Sequence, residues 1–232
     1  MLLWSYLFVL PFLIKKYNIE KVLNFGDIPI YTSKKQIFYF DWPYAVYPDS
    51  PVWKKMSFSD LLYRKIKVLL FKLLYKRCDQ FIVQTPAIKT RLKKFYNIRK
   101  ISIISMGFEK ELISNSIVQR QEESISLLYP TKYYPHKNVE ILIELGKILK
   151  KERSKFRVYC TIDRKQHKNV KKIILSIKEH GLSDYLIITG EIERNKFSNL
   201  FKRVDALLMP TLLETYGIPY LEALSAKKLI FT

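Results

Sequence analysis

Two glutamates near the end of the chain, Glu214 and Glu222, are separated by seven residues in the stretch Pro210-Thr-Leu-Leu-Glu214-Thr-Tyr-Gly217-Ile-Pro219-Tyr-Leu-Glu222-Ala. An ionised carboxylate accepts hydrogen bonds and donates none, so a pair of them suits a hydroxyl-rich ligand such as a sugar or a ribose diol. The residues around them set the geometry. The apolar run Ala206 to Met209 reads as a buried strand, Gly217 lies in a polar bend, and Pro219 can open a helix. A strand end, a loop and a helix start leave backbone N–H groups around Thr215, Tyr216 and Gly217 at the mouth of a sheet, where they can hold a phosphate. The parts read as a cradle for a nucleotide sugar.

These elements need a scaffold, and the second half of the chain supplies one. Strands are predicted at Ser126 to Tyr129, Phe156 to Thr161, Tyr185 to Thr189, Ala206 to Met209 and Leu229 to Phe231. Helices are predicted between them at 138–151, 168–180, 194–203 and 218–227. Alternation of this length indicates parallel βαβ units in a doubly wound sheet. The first half alternates less cleanly, with strands at Lys21 to Phe25, Gln36 to Phe40, Gln80 to Gln84 and Ile101 to Ile104. Its long helix, Ser59 to Arg77, carries Leu62, Ile66, Leu69, Leu70 and Leu73 as an apolar stripe, the side expected to pack. Arg64, Lys65, Lys67, Lys72, Lys76 and Arg77 crowd its other faces, which could meet an anionic membrane surface. The polar segment from Lys110 to Glu123 divides the chain into domains at 1–112 and 125–232 with a linker at 113–124.

The string from Glu214 to Glu222, with Pro210 before it and Tyr216-Gly217 inside it, resembles the E-x7-E motif of the family 4 (group 1) glycosyltransferases. Those are retaining enzymes of the GT-B fold, with two Rossmann-like domains. The resemblance implies that Glu214 holds and orients the donor sugar while Glu222 takes the ribose hydroxyls. It implies a lysine on the diphosphate at Lys137, in Pro130-Thr-Lys132-Tyr-Tyr-Pro135-His136-Lys137-Asn138. Lys132 stands where the family carries an arginine, and a point charge lacks the bidentate guanidinium fork. Gly190, Glu191 and Ile192, after another strand end, would read the nucleobase through their backbone. Asp41 falls where the family often has a histidine close to the reacting sugar. Its own position, directly after a strand in the loop Asp41-Trp-Pro-Tyr-Ala-Val-Tyr-Pro48, suits either ligand contact or a turn cap.

The implied reaction moves a sugar from a nucleotide-diphosphate donor to a glycan or lipid-linked acceptor, with retention and without a metal or other cofactor. The implied setting is cytoplasmic, peripheral on the inner face of a bacterial membrane, in surface polysaccharide or lipopolysaccharide synthesis. The resemblance also suggests a chain short of the family's first N-terminal units and of its last sheet elements and C-terminal helix. A fragment that binds nucleotide sugar or membrane without turnover is the rival reading.

Composition narrows the field. The 232 residues carry a net charge of +20, with 21 Lys/Arg against 10 Asp/Glu in residues 1–125 and 20 against 11 beyond. The excess is not a basic tail. It draws the chain to anionic lipid or nucleic acid, but no aromatic-basic string marks a specific nucleic-acid module. Cys78 and Cys160 stand in no motif, which suits a reducing compartment. The three histidines have no metal spacing with each other or the cysteines. No G-x-G-x-x-G, Walker loop or G-x-S-x-G elbow occurs. Met1 to Ile14 is apolar but short of the ~20 residues of a membrane span.

Overall fold

The structure, a computed structural model, describes residues 4–107 and 124–232. The chain forms two compact units, Met1–Met106 with Leu213–Tyr216, and Gly107–Leu212 with Gly217–Thr232. The linker expected at 113–124 lies outside the described residues except for Ser124.

The first unit is a parallel sheet of β1 (Lys21–Asn24), β2 (Lys35–Tyr39), β3 (Gln80–Val83) and β4 (Ile101–Ile103), in that order across the sheet. Its helices are α1 (Leu10–Lys16), α2 (Phe58–Leu74) and α3 (Pro86–Tyr96). Alternation along the strands sends Phe38, Phe40 and Phe81 into one apolar layer, where Phe71 of α2 joins them. The Phe71 ring lies edge-on to Phe40 at 5.5 Å and to Tyr96 at 4.9 Å between centroids. Local signals set the helix ends. The Thr85 hydroxyl accepts from the Ile88 N–H at 3.3 Å, Pro86 takes the first position of α3, and left-handed Asn97 closes it.

Helix α2 turns a different side inward from the one its periodicity suggests. Leu62, Leu69 and Leu73 are 49%, 55% and 65% exposed, whereas Lys67, Phe71 and Leu74 are buried. The aromatic face of the sheet accepts the Phe71 ring, the largest apolar group on that side of the helix. Lys67 can follow it inward because Asp27 neutralises its charge. Leu62, Leu69 and Leu73 therefore face outward, while Leu70 of the same stripe packs against the core.

The second unit has β5 (Ile125–Tyr129), β6 (Phe156–Cys160), β7 (Leu186–Ile188), β8 (Ala206–Leu208) and β9 (Leu229–Phe231), all parallel, in the order β7-β6-β5-β8-β9. Helices α4 (Ile141–Lys151), α5 (Lys168–Glu179), α6 (Arg194–Arg203) and α7 (Ile218–Ser225) connect them. From β5 the chain steps outward through β6 and β7, then returns to lay β8 and β9 on the other side. The strand order reverses between β5 and β8, and a crevice opens at their carboxyl ends. Helix α4 starts at Ile141, three residues later than expected, because Asn138 takes a left-handed conformation (φ 53°) after a 3-10 turn at Pro135–Lys137. Asparagine tolerates that conformation better than other side-chain-bearing residues.

Candidate functional site

A cavity of about 330 Å³ opens at the carboxyl end of the second sheet, lined on its polar side by Thr131, Lys132, Thr161, Glu191 and Glu222. Ile192, Phe197, Ile218 and Pro219 form its apolar wall. The loop after β5 is held in shape by β6. The Thr161 hydroxyl accepts from the Thr131 N–H at 2.8 Å and donates to the Thr131 carbonyl at 3.0 Å. Farther along the loop the Tyr133 N–H donates to Gln166 Oε1 at 3.0 Å, and the Tyr133 ring stacks on His167 at 4.8 Å. The Nε2 of Gln166 is buried and has no partner among the described residues. The loops after β5 and β8 are also bonded together. The Leu212 N–H donates to the His136 carbonyl at 2.8 Å, and the Asn138 amide donates to the Pro210 carbonyl at 3.1 Å.

Of the residues expected to bind a donor, Lys132, Glu191, Ile192 and Glu222 line this cavity together. Glu222 is only 5% exposed and is the fifth residue of α7. Lys132 and Glu191 form an ion pair at 2.5 Å with both side chains well exposed, and this bond raises the Lys132 pKa above its ordinary value. Lys137 belongs to the same loop but not to the cavity lining; its carbonyl receives the Tyr129 hydroxyl. Gly190 (φ 75°) makes the turn before Glu191, and Gly217 (φ 78°, ψ 71°) caps α7. A Cβ on Gly217 would lie 2.4 Å from the Tyr220 ring, so both backbone angle and space require glycine there. Glu214, Thr215 and Tyr216 are grouped with the first unit, where Thr85 Oγ1 donates to the Thr215 carbonyl at 3.3 Å.

Asp41 lies in the first unit, two residues past the end of β2. It is exposed, yet partial loss of water around its carboxyl, with the charge of Asp27, pushes its pKa up to about 6 against the opposing pull of Lys67. Folding therefore tightens the grip on this proton. Stability from that source is complete below the unfolded value near 4 and is lost as pH rises through 6. Asp41→Asn should raise the melting temperature at pH 8, with the gain shrinking toward zero at pH 4. An equal gain at both pH values would contradict the assignment.

With this geometry in place, comparison with known proteins identifies the family. The profile of the family described as glycosyl transferases group 1 matches residues 111–232, which is 122 of the 232 residues. The chain belongs to the group 1 glycosyl transferases. This group 1 chain is 25% identical over 182 residues to the O-antigen chain mannosyltransferase RfbU of Salmonella typhimurium, an alignment covering 78% of the chain and 46% of RfbU. It thus spans about half the length of that relative. A sucrose-phosphate synthase from Thermosynechococcus elongatus matches 94% of the chain with TM-score 0.72 and 13% identity, over 57% of its own length. The Anabaena protein HepE, solved in complex with UDP and glucose, matches 96% with TM-score 0.63 and 14% identity, over 61% of its length. At such identities the likeness is one of fold, the α/β GT-B type with two parallel sheets.

Several residues of this cavity and of the Asp41 surroundings were not singled out by the sequence. Thr131 and Thr161 read only as loop and strand-end residues, and their mutual clamp depends on β5 and β6 being neighbours. Phe197, Ile218 and Pro219 lay in predicted helices with nothing to mark which side faced a ligand. Asp27 and Lys67 meet across 40 residues of sequence. Among the described residues there is no group of three His, Cys, Asp or Glu able to hold a metal ion, and no helix long and apolar enough to cross a membrane.

Proposed function

We propose that this group 1 glycosyl transferase takes a nucleotide-diphosphate sugar into the cavity of its second unit and transfers the sugar, with retention, to a glycan or lipid-linked acceptor of the bacterial surface. The observation that carries this reading is the cavity at the strand-order reversal, with buried Glu222 on one side and Lys132 at its mouth. A buried carboxylate suits a ribose diol, and a lysine at a strand end suits a diphosphate. The names of the relatives point the same way, RfbU being a mannosyltransferase of O-antigen chains and HepE having been solved with UDP and glucose.

In the reaction the bond from the anomeric carbon to the diphosphate oxygen breaks and a bond to the acceptor oxygen forms on the same face of the sugar. The acceptor proton leaves with the diphosphate. Lys132 and Lys137 offset the charge that builds on the leaving group, and no metal is needed for that role. Glu214 orients the donor hydroxyls, and Asp41 receives the acceptor hydroxyl.

A thermal-shift panel of UDP-, GDP- and ADP-sugars tests the reading, since a ligand of the folded state raises its stability by mass action. One nucleotide series should stabilise the chain, and Lys137→Ala should weaken the response; no shift with any donor would overturn the proposal. Release of free nucleotide diphosphate separates transfer from binding without turnover. Glu191→Gln removes the competitor for Lys132 and should tighten UDP binding by roughly twofold to fivefold at low salt, the scale of an exposed ion pair. Weaker binding would show that Glu191 contacts the ligand productively.

We also infer an anionic membrane surface as the cytoplasmic setting. The outward side of α2 combines the exposed Leu62, Leu69 and Leu73 with the exposed Lys65 and Lys72, and the exposed Lys76 follows in the 3-10 turn Tyr75–Arg77. A cavity of about 260 Å³, lined by Tyr44, Trp53, Lys65, Leu69, Lys72 and Phe95 among others, lies along the same side. Lysines near a charged leaflet contribute about 1 kcal/mol each. Vesicles containing phosphatidylglycerol should therefore co-sediment the protein at least about tenfold better than phosphatidylcholine vesicles. Leu69→Glu with Leu73→Glu should remove most of that difference. Equal binding to both vesicle types would sink this placement.

A further inference from the structure

We propose that Lys67 is a positioning residue for Asp41, and that its partly buried ion pair with Asp27 holds the Asp41 carboxylate ready to receive an acceptor hydroxyl. This rests on the reading of Asp41 given above. The starting observation is the orientation of α2. The helix buries Lys67 to 5% exposure while leaving Leu62, Leu69 and Leu73 between 49% and 65% exposed. Packing of Phe71 accounts for which side turns inward but does not call for a lysine beside it, because an ion pair there is commonly no more stabilising than apolar side chains of the same volume. Local rules are broken in this manner mainly at functional sites.

The surroundings show what the charge acts on. β1 and β2 pair with Asn24 opposite Phe38, so the loops carrying Asp27 and Asp41 leave the sheet side by side. The Asp27 loop is fixed from beneath. Asn24 accepts from the Gly26 N–H at 2.8 Å and donates to the Ile28 carbonyl and to Gln36 Oε1, both at 3.0 Å. The Lys67 ammonium meets Asp27 and sits 5.1 Å from the ring centre of Trp42, the neighbour of Asp41, and 5.0 Å from that of Tyr63. The groups coupled to Asp41 through their charges are thus Tyr6 from the π-helical segment Ser5–Val9 that leads into α1, Asp27 from the β1 loop, and Lys67 from α2. Without Lys67, two carboxylates would confront each other and one would hold its proton into the neutral range. With it, the three groups carry one net negative charge, and Asp41 stays ionised at neutral pH.

The test is a carbon-13 NMR titration of the Asp41 carboxyl in the full chain, assigned with Asp41→Asn. Lys67→Met should raise the Asp41 midpoint by about one pH unit or more, and Asp27→Asn should lower it by a similar amount. Lys67→Arg should restore the original value. The double variant Asp27→Asn/Lys67→Met removes opposite charges, avoids an unpaired buried charge and should titrate near the wild-type midpoint; it covers the case in which a single variant fails to fold. The acid limb of the transfer rate, followed as UDP release from the donor that the thermal panel selects, should move with these midpoints. Midpoints that do not move in opposite directions in the two single variants overturn the proposal and leave Lys67 a packing residue. Should the midpoints move while Asp41→Asn transfers sugar at the wild-type rate, the electrostatic coupling stands and the acceptor role of Asp41 falls.

Discussion

Glu222→Gln should remove about half or more of the stabilisation that a donor nucleotide confers. The side chain is nearly inaccessible, and the glutamine replacement keeps its volume and its place in α7. What is lost is a charged acceptor, and a hydrogen bond to a charged group contributes about 1.5–3 kcal/mol. One such bond lowers affinity roughly tenfold to a hundredfold. At a ligand concentration of about 100 times Kd, stabilisation would fall from about 2.7 kcal/mol to between about 1.4 and 0.4 kcal/mol. The comparison of UDP with UDP-sugar assigns the role. Loss at Glu222 should affect both ligands equally, because the ribose is common to them. Glu214→Gln should spare UDP and remove only the increment due to the sugar. A Glu222→Gln chain that responds to the nucleotide like wild type would end the ribose assignment.

The second large effect concerns the orientation of α2. Phe71→Ala should cost about 3–5 kcal/mol, the range for deleting a fully buried aromatic ring. Leu69→Ser and Leu73→Ser should each stay within about 0.5 kcal/mol, as exposed substitutions do. A denaturant titration followed by tryptophan fluorescence is well suited to this, because Trp4, Trp42 and Trp53 all lie in the first unit. Should Leu69→Ser prove costlier than Phe71→Ala, the helix would be packed the other way round. The positioning role of Lys67 would then fall with it.

That helix also shows where sequence reading stopped. Alternating apolar runs and helical stretches placed the strands and helices well, because a parallel strand covered on both faces leaves an unbroken apolar segment between polar loops. Glu222 was legible through its spacing from Glu214, and Lys132 through the resemblance, as the lysine standing where the family carries an arginine. The side of α2 that turns inward was not legible. Its leucine stripe is the stronger periodic signal, but the decision belongs to Phe38, Phe40 and Phe81 on a sheet assembled from distant segments. Lys67 was legible only as one of six basic residues on the helix; its partner Asp27 stands 40 residues earlier. Asn138 delayed α4 through a backbone conformation that its bond to the Pro210 carbonyl, 72 residues away, helps to hold.

The two bonds that join the loops after β5 and β8 have a consequence for signalling within the second unit. His136 with Leu212, and Asn138 with Pro210, make one mechanical body of segments that leave the sheet separately. Deuterium uptake at the Leu212 amide therefore reports on the lysine-bearing loop as well as its own. A nucleotide that engages Lys132 should slow exchange at Leu212 without touching it, and Asn138→Ala should uncouple the two.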